Sequence, residues 1–213
     1  MRATVLLLLA VVSAPAEIID GIAATIDRGV ITRGEVRLNV RLTAFLNGEP
    51  VPEGDAALRD AMERLVEQFL IRREVEDSRY PLASIDDARQ MLSDIVRERF
   101  GGDTARYQRA LEEYGLRDDD LLAELRWQIT ALRFIDVRFG SGVQIRPEEI
   151  QAYFQQEVLA KFRAEGDPPQ LTDELAEQIS QTLLRNTANE GADAWLRETR
   201  ERSAIDIRPE LRR

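Results

Sequence analysis

Apolar side chains recur along most of the chain at the three- and four-residue spacing that places them on one face of an α-helix. The clearest stripe consists of Leu58, Met62, Leu65 and Phe69. Glycine or proline interrupts these stripes at short intervals, so a bundle of separate helices is favoured over a coiled coil. Helices are predicted to begin near residues 33, 55, 84, 103, 118, 147 and 171.

Short β-branched segments at both ends of this helical region predict a small β element. Ile22–Ile26 and residues 30–32 flank a turn at 27–29, which is the pattern of a hairpin. Residues 204–208 form a further short strand near the C-terminus. The pattern therefore predicts a mainly α protein with a small β ribbon.

Some helix ends have recognisable signals. Thr32, with Glu35 three residues later, is the sequence signature of a capping box. The helix that begins at 118 is expected to reach about Phe139. The last helix, from 171 or 172 to about 203, is long, and its weakly apolar middle leaves room for a kink near Gly191.

Residues 1–16 have the three parts of a secretory signal peptide. Arg2 supplies a positive charge, residues 5–12 are an unbroken apolar run, and small side chains close the segment at Ala16. The run is shorter than the roughly 20 residues that a membrane-spanning helix needs. We therefore predict cleavage after Ala16 and export to the periplasm, with residues 17–213 as one mature domain; a buried N-terminal helix is the alternative.

The composition excludes several classes of catalyst. The chain contains no His and no Cys, which rules out a Ser-His-Asp triad, a thiolate nucleophile, a disulfide and zinc bound by His or Cys. Its formal net charge of -10 disfavours nucleic acid as a partner, because affinity for phosphates comes largely from cations. The chain has no Walker A sequence, so ATP use is not expected. No metal and no cofactor are predicted.

The paired acidic residues are a weak pattern for catalysis. Glu112 with Glu113, and Glu148 with Glu149, point about 100° apart on a helix, so neither pair converges on one substrate. Residues 118–120 are three consecutive Asp, but no EF-hand spacing follows them. Their position at the start of a helix explains them better, because the helix dipole favours negative charge there. An enzyme that uses carboxylates alone, such as a glycosidase, is kept as a third alternative.

Large rings are more numerous than the main helical stripes require, so some of them are candidates for an apolar surface that binds another chain. Each ring taken alone is better explained as part of the core, because apolar groups mark a partner site only where they are contiguous. The candidates for client binding are Phe45, Tyr107, Phe139, Tyr153 and Phe162.

Five segments in order behind the signal peptide resemble the SurA-type periplasmic chaperones (survival protein A family). They include a strand–turn–strand–helix start, IIDGIAATIDRGVITRGEV, and a last helix with a closing strand, DAWLRETRERSAIDI. The resemblance implies a helical chaperone core that the C-terminal helix and strand complete, so that Ile205–Ile207 pairs with Ile22–Ile26. The five segments span residues 18–36, 65–76, 112–129, 145–155 and 193–207.

One departure from that family is large. Its typical members carry parvulin-type peptidyl-prolyl isomerase domains before the last helix, whereas this chain has only a loop at 165–170. Such a domain needs about 100 residues, and parvulin sites use His, which this chain lacks. The predicted domain therefore divides into an N-terminal helical core (17–142), a connecting helix (147–165) and a C-terminal helix and strand (171–208), without isomerase activity.

The resemblance implies an ATP-independent holdase that binds unfolded outer-membrane proteins, or other exported polypeptides, through an apolar groove. It implies no enzyme activity and is compatible with a homodimer. The alternative from another functional class is a structural or dimerising interaction module with one dedicated envelope partner.

Overall fold

The two ends of the described chain meet in one antiparallel sheet. The computed structural model describes residues 20–161 and 169–212. Strands β1 (Ile22–Ile26) and β2 (Gly29–Thr32) form the N-terminal hairpin, and β3 (Ile205–Ile207) pairs with the other edge of β1. The strand order is therefore β2-β1-β3, and the predicted ribbon built from both chain ends is confirmed.

Helices make up most of the remaining described chain, as the apolar spacing predicts. They are α1 (Arg33–Asn47), α2 (Asp55–Asp77), α3 (Ile85–Phe100), α4 (Thr104–Tyr114), α5 (Asp118–Ile135), α6 (Pro147–Tyr153) and α7 (Asp173–Arg202). π-Helical turns follow α5 at Asp136–Gly140 and α6 at Phe154–Leu159.

The hairpin turn is fastened to the C-terminal end of the chain. Asp27 adopts a positive φ of 51° in the turn. Its carboxylate accepts a hydrogen bond from the Ala204 N–H at 2.9 Å and forms an ion pair with Arg73 of α2. Arg73 also donates to the Ser203 hydroxyl at 3.1 Å. Three separate parts of the sequence therefore converge on one side chain.

The sheet covers an apolar core that we call the end-joining core, because residues from both ends of the chain contribute to it. Ile26 is completely buried there, and Ile207 of β3 is 7% exposed. Its buried members are Ala23, Ala24, Ile26, Ile31, Val36, Val40, Ala61, Met62, Val66, Leu70, Ile207 and Leu211.

A second apolar core, the local core, lies among α1, α3, α4 and α5. Phe45 is at its centre, with ring centroids 6.2 Å from Phe100 and 5.4 Å from Tyr114. Aromatic pairs at these separations add to the stabilisation from burial alone. Its buried members are Leu42, Phe45, Ala88, Tyr107, Leu111, Leu116, Leu121 and Leu125.

The predicted capping box at the start of α1 is confirmed. The Glu35 N–H donates to the Thr32 hydroxyl at 3.2 Å, and the Thr32 N–H donates to the Glu35 carboxylate at 2.7 Å. The segment after residue 118 is α-helical only to Ile135, and its predicted end at Phe139 falls within the following π-helical turn.

Helix α7 continues without a break past Gly191, where the sequence left room for a kink. The glycine instead makes space for a neighbouring ring, because a Cβ at this position would lie 3.3 Å from the Cβ of Phe139. The Phe139 ring packs at 5.9 Å from that of Trp195. Arg138, which pairs with Glu74 of α2 at 2.9 Å, lies 5.7 Å from the same Trp195 ring.

Some sequence predictions fall outside the described residues. The signal peptide at 1–16 and its cleavage after Ala16 lie there entirely. The predicted connecting helix at 147–165 is present as α6 and the π-helical turn after it, and residues 162–168 are not described. Within the described ranges, no helix combines the length and apolar character needed to cross a bilayer.

Candidate functional site

The five rings predicted to contact a client lie in different environments. Phe45 and Tyr107 are buried in the local core, with only 1% and 3% of their surface exposed. Phe139 and Tyr153 are half-buried on other elements, and Phe162 lies outside the described residues. The first two rings are therefore placed as core residues, which corrects their assignment to a binding surface.

Tyr107 has a clear structural role. Its hydroxyl donates a hydrogen bond to the Asp118 carboxylate at 2.6 Å. Burial, and then the nearby Asp118 carboxylate, raise the pKa of Tyr107 far above its ordinary value. The hydroxyl therefore stays protonated and links α4 to the first turn of α5.

A partly apolar cleft lies where the two cores meet. Residues of β2, α1, α2 and α5 enclose a volume of about 350 Å³, near the lower end of the range for ligand sites. Ile31 of the end-joining core and Leu42 of the local core both line it, so the cleft marks the seam between them. Its apolar walls consist of Val30, Ile31, Leu38, Leu42, Leu65, Phe69 and Ala123.

Phe69 can form part of this wall because Gly29 leaves room for its ring. A Cβ atom on Gly29 would lie 2.0 Å from the Cζ atom of Phe69, which is far inside van der Waals contact. The ring therefore lies directly against the hairpin backbone. Beside it, Val30 keeps 45% of its surface exposed, so this apolar wall is open to solvent.

The free edge of β2 borders the cleft. The Arg33 N–H donates to the Gly21 carbonyl at 2.8 Å, within the hairpin, whereas the Thr32 N–H points to the Glu35 carboxylate instead. Backbone groups of successive residues point in opposite directions along an antiparallel strand. The N–H and C=O of Val30 therefore face away from β1, like the N–H of Thr32, and pairing with β1 does not use them.

The polar part of the cleft is mostly acidic. Glu35 lines it from α1, and Asp119, Asp120 and Glu124 line it from α5. Glu35 is engaged in the capping box, and Asp120 accepts two hydrogen bonds from the Arg117 guanidinium at 2.8 and 3.1 Å. Among the described residues, no cation lies within 4.0 Å of the Asp119 or Glu124 carboxylates, so these two are left without an ion pair.

One cation, Arg72 of α2, also lines the cleft. Its guanidinium lies 4.1 Å from the centre of the Trp127 ring, in a cation–π contact. Burial lowers the pKa of Arg72, while Glu124 and Glu35 act in the opposite direction. An arginine starts so far above neutral pH that it stays charged, and the ring fixes where that charge lies.

The groups in the cleft are better suited to binding than to metal chemistry. In the parts of the chain that the structure describes, no cluster of three or more His, Cys, Asp or Glu is arranged to hold a metal ion. Glu35 and Glu124 line the cleft from different helices, so the carboxylate-only enzyme is still an alternative to be tested. The cleft itself offers apolar area, a strand edge and negative charge.

Each residue of the cleft, taken alone, is explained by its place in a helix or strand. Sequence pattern assigns Val30 to a strand, Leu65 and Phe69 to a packing stripe, and residues 118–120 to the start of a helix. All of these assignments are right locally. The cleft arises only when α5 packs against α1 and α2, and no motif in the sequence signals that juxtaposition.

No family model matches the chain, and no curated protein matches its sequence. Two observations therefore bear on the function. They are the geometry of the cleft and the resemblance of five sequence segments to a known family.

Proposed function

We propose that the protein is an ATP-independent SurA-type chaperone that holds unfolded outer-membrane proteins in the periplasm, without isomerase activity. The observation that carries the proposal is the cleft, in which apolar walls lie beside a strand edge with unused backbone groups. An unfolded polypeptide offers the matching groups along its whole length, namely apolar side chains and free N–H and C=O groups. A folded protein has most of these groups buried, so the cleft would favour unfolded chains.

The size of the cleft fits a holdase that releases its client without ATP. The free edge offers the backbone groups of one residue, Val30, and the apolar walls surround a small volume. Each contact is therefore weak, and a client dissociates readily unless several of its segments bind in turn. The net charge of -10 would keep the complex soluble, because like-charged complexes repel one another.

The topology of the sheet adds support. The pairing of β3 with β1 is the one that the resemblance implies for the C-terminal end of the chain. The sequence between α6 and α7 leaves no room for an isomerase domain, so the proposal assigns only the holdase function.

Suppression of aggregation tests the proposal. Several unfolded β-barrel proteins are diluted into buffer with and without a stoichiometric amount of the protein, and light scattering is followed. The wild type should keep several of them soluble. Val30→Asn should hold them much less well, because it replaces the exposed apolar wall of the cleft by an amide.

Val51→Asn is the matched control. Val51 is 38% exposed, similar to Val30, but it lies in the loop between α1 and α2, away from the cleft. Circular dichroism would establish that both variants are folded. If no client is held by the wild type, the proposal is wrong. If both variants lose activity equally, the cleft is not the binding site, and retention of one envelope protein alone would favour the dedicated-partner alternative.

The expected export has its own test. Protein isolated from the cell envelope should have Glu17 at its N-terminus. An isolated protein that retains residues 1–16 would contradict the predicted cleavage after Ala16.

A further inference from the structure

We propose that the cleft selects extended segments in which an apolar side chain lies two residues from a Lys or Arg. This inference rests on the proposed function and names the class of client segment that the site would take. It follows from charge and strand geometry together, because neither feature alone distinguishes one unfolded segment from another.

Two acidic residues of the cleft have no ion pair within the described part of the chain. Asp119 and Glu124 line the cleft without a cation within 4.0 Å among the described residues, and Glu124 accepts a hydrogen bond only from the uncharged Gln128 amide, at 2.9 Å. The carboxylate of Asp120 already pairs with Arg117, and that of Glu35 is held in the capping box. Arg72 does not neutralise Asp119 or Glu124 at contact distance, since its guanidinium lies on the Trp127 ring. A cationic side chain from a bound segment would complete this part of the site.

The strand geometry gives the spacing. A segment that pairs with the free edge at Val30 is extended, and side chains at alternate positions of an extended chain point to the same side. If an apolar side chain of the bound segment enters between Phe69 and Leu38, the side chain two residues away therefore points to the same side of that segment. Asp119 and Glu124 line the same cleft from α5, so a Lys or Arg at that position would be favoured and an Asp or Glu would be repelled.

The overall charge of the protein makes a control necessary. A net charge of -10 attracts any cationic peptide, wherever it binds. The test must therefore compare variants that remove the same number of charges inside and outside the cleft. Asp119→Asn with Glu124→Gln removes two carboxylates from the cleft. Glu112→Gln with Glu113→Gln removes two from the exposed surface of α4.

Binding of three fluorescent peptides by the full chain, measured by anisotropy, provides the readout. The first peptide repeats the unit Leu-Ser-Lys, so that each Leu is followed by a Lys two residues later. The second peptide has Glu in place of Lys, and the third has Ser in place of Leu. The wild type should bind the first peptide most tightly. The ratio of its affinity to that of the Glu peptide should fall about threefold to tenfold in the cleft variant, the range expected for two partly exposed charge pairs. It should stay near the wild-type value in the α4 variant.

The outcomes separate this inference from the function on which it rests. If unfolded β-barrel proteins are held but the two double variants change the affinity ratio equally, the selection is only an effect of net charge and the inference is wrong. If the third peptide binds as well as the first, the apolar part of the inference is wrong. If no unfolded protein is held at all, the holdase proposal itself fails, whatever the peptides show.

Discussion

The end-joining core and the local core differ in how far apart their members lie along the chain. The end-joining core extends from Ala23 to Leu211, whereas the buried residues of the local core fall between Leu42 and Leu125. Contacts between distant residues close a longer loop and cost more chain entropy. The end-joining core therefore depends on the return of the C-terminal strand, and the local core does not.

The cleft depends on both cores because it lies between them. Helix α1 contributes Val40 to the end-joining core and Phe45 to the local core, only five positions later. A change in either core is therefore transmitted to a wall of the cleft through one helix. The proposed client binding should therefore be sensitive to both cores, while the effects on stability should differ between them.

Removal of the C-terminal segment should have the largest effect. A chain that ends at Gln170 lacks α7, β3 and Leu211, and so loses the part of the end-joining core that closes it. We expect it to lose its cooperative thermal unfolding transition, followed by circular dichroism. In hydrogen exchange, the amides of α3 to α5 should keep more protection than those of β1 and β2.

A second measurement sharpens this result. Residues 171–213 supplied as a separate chain should restore the transition in part, because the contacts rather than the covalent connection stabilise the core. Retained cooperative unfolding of the truncated chain by itself would contradict the role assigned to the closing strand.

Phe45→Ala tests the local core. Phe45 is 1% exposed and packs against three other rings. Loss of such a ring should lower the free energy of unfolding by about 3–5 kcal/mol, measured with urea. Leu82→Ala is the control, because Leu82 is 54% exposed and its change should stay within about 0.5 kcal/mol. Equal effects of the two substitutions would mean that Phe45 is not at the centre of a packed core.

Gly29→Ala tests the contact between the hairpin and the cleft wall. The added methyl group has to displace the Phe69 ring, which should cost about 1–3 kcal/mol in the free energy of unfolding. It should also weaken the proposed client binding, because that ring lines the cleft. In a Phe69→Ala background the same substitution should cost clearly less, since the obstructing ring is gone. Additive effects in this double-mutant cycle would show that the ring does not lie on Gly29.

Several helix boundaries could be predicted because a local chemical signal marks them. The Thr32 capping box at the start of α1 can be read from the sequence. Gly115, which ends α4 with a φ of 61°, can be read in the same way. The end of α5 could not, since a π-helical turn replaces the last α-helical turn and brings Phe139 against Gly191. That contact joins positions far apart in sequence, so the pattern of neighbouring residues cannot predict it.

The candidate site was less predictable than the fold. The number of large rings predicted Phe45 and Tyr107 as binding residues, but a large ring is as common in a core as on a binding surface. The burial of both rings places them in the core. Val30 and Asp119 belong to separate elements with ordinary patterns of their own. Their proximity follows from the packing of α5 on α1 and α2, which depends on both cores.

The smallest predicted effect concerns pH and the fastening of the hairpin turn. The pKa of Asp27 is lowered below its ordinary value of 3.8, first by the hydrogen bond from the Ala204 N–H and then by that from Arg73. The ionised carboxylate is therefore favoured in the folded state, and its contribution is present above the unfolded pKa and lost as pH falls through the folded one. Stability of the wild type should decrease with acid in this range, and Asp27→Asn should remove part of that decrease.

A second variant distinguishes the two causes of this lowered pKa. Arg73→Gln removes the guanidinium but leaves the Ala204 N–H in place, so its loss of thermal stability on acidification should lie between those of the wild type and Asp27→Asn. If Arg73→Gln and Asp27→Asn respond to acid identically, the ion pair with α2 accounts for the whole effect. In that case the backbone contact from the C-terminal end would not contribute to the pH dependence, and the fastening of the two chain ends would depend on strand pairing and apolar burial instead.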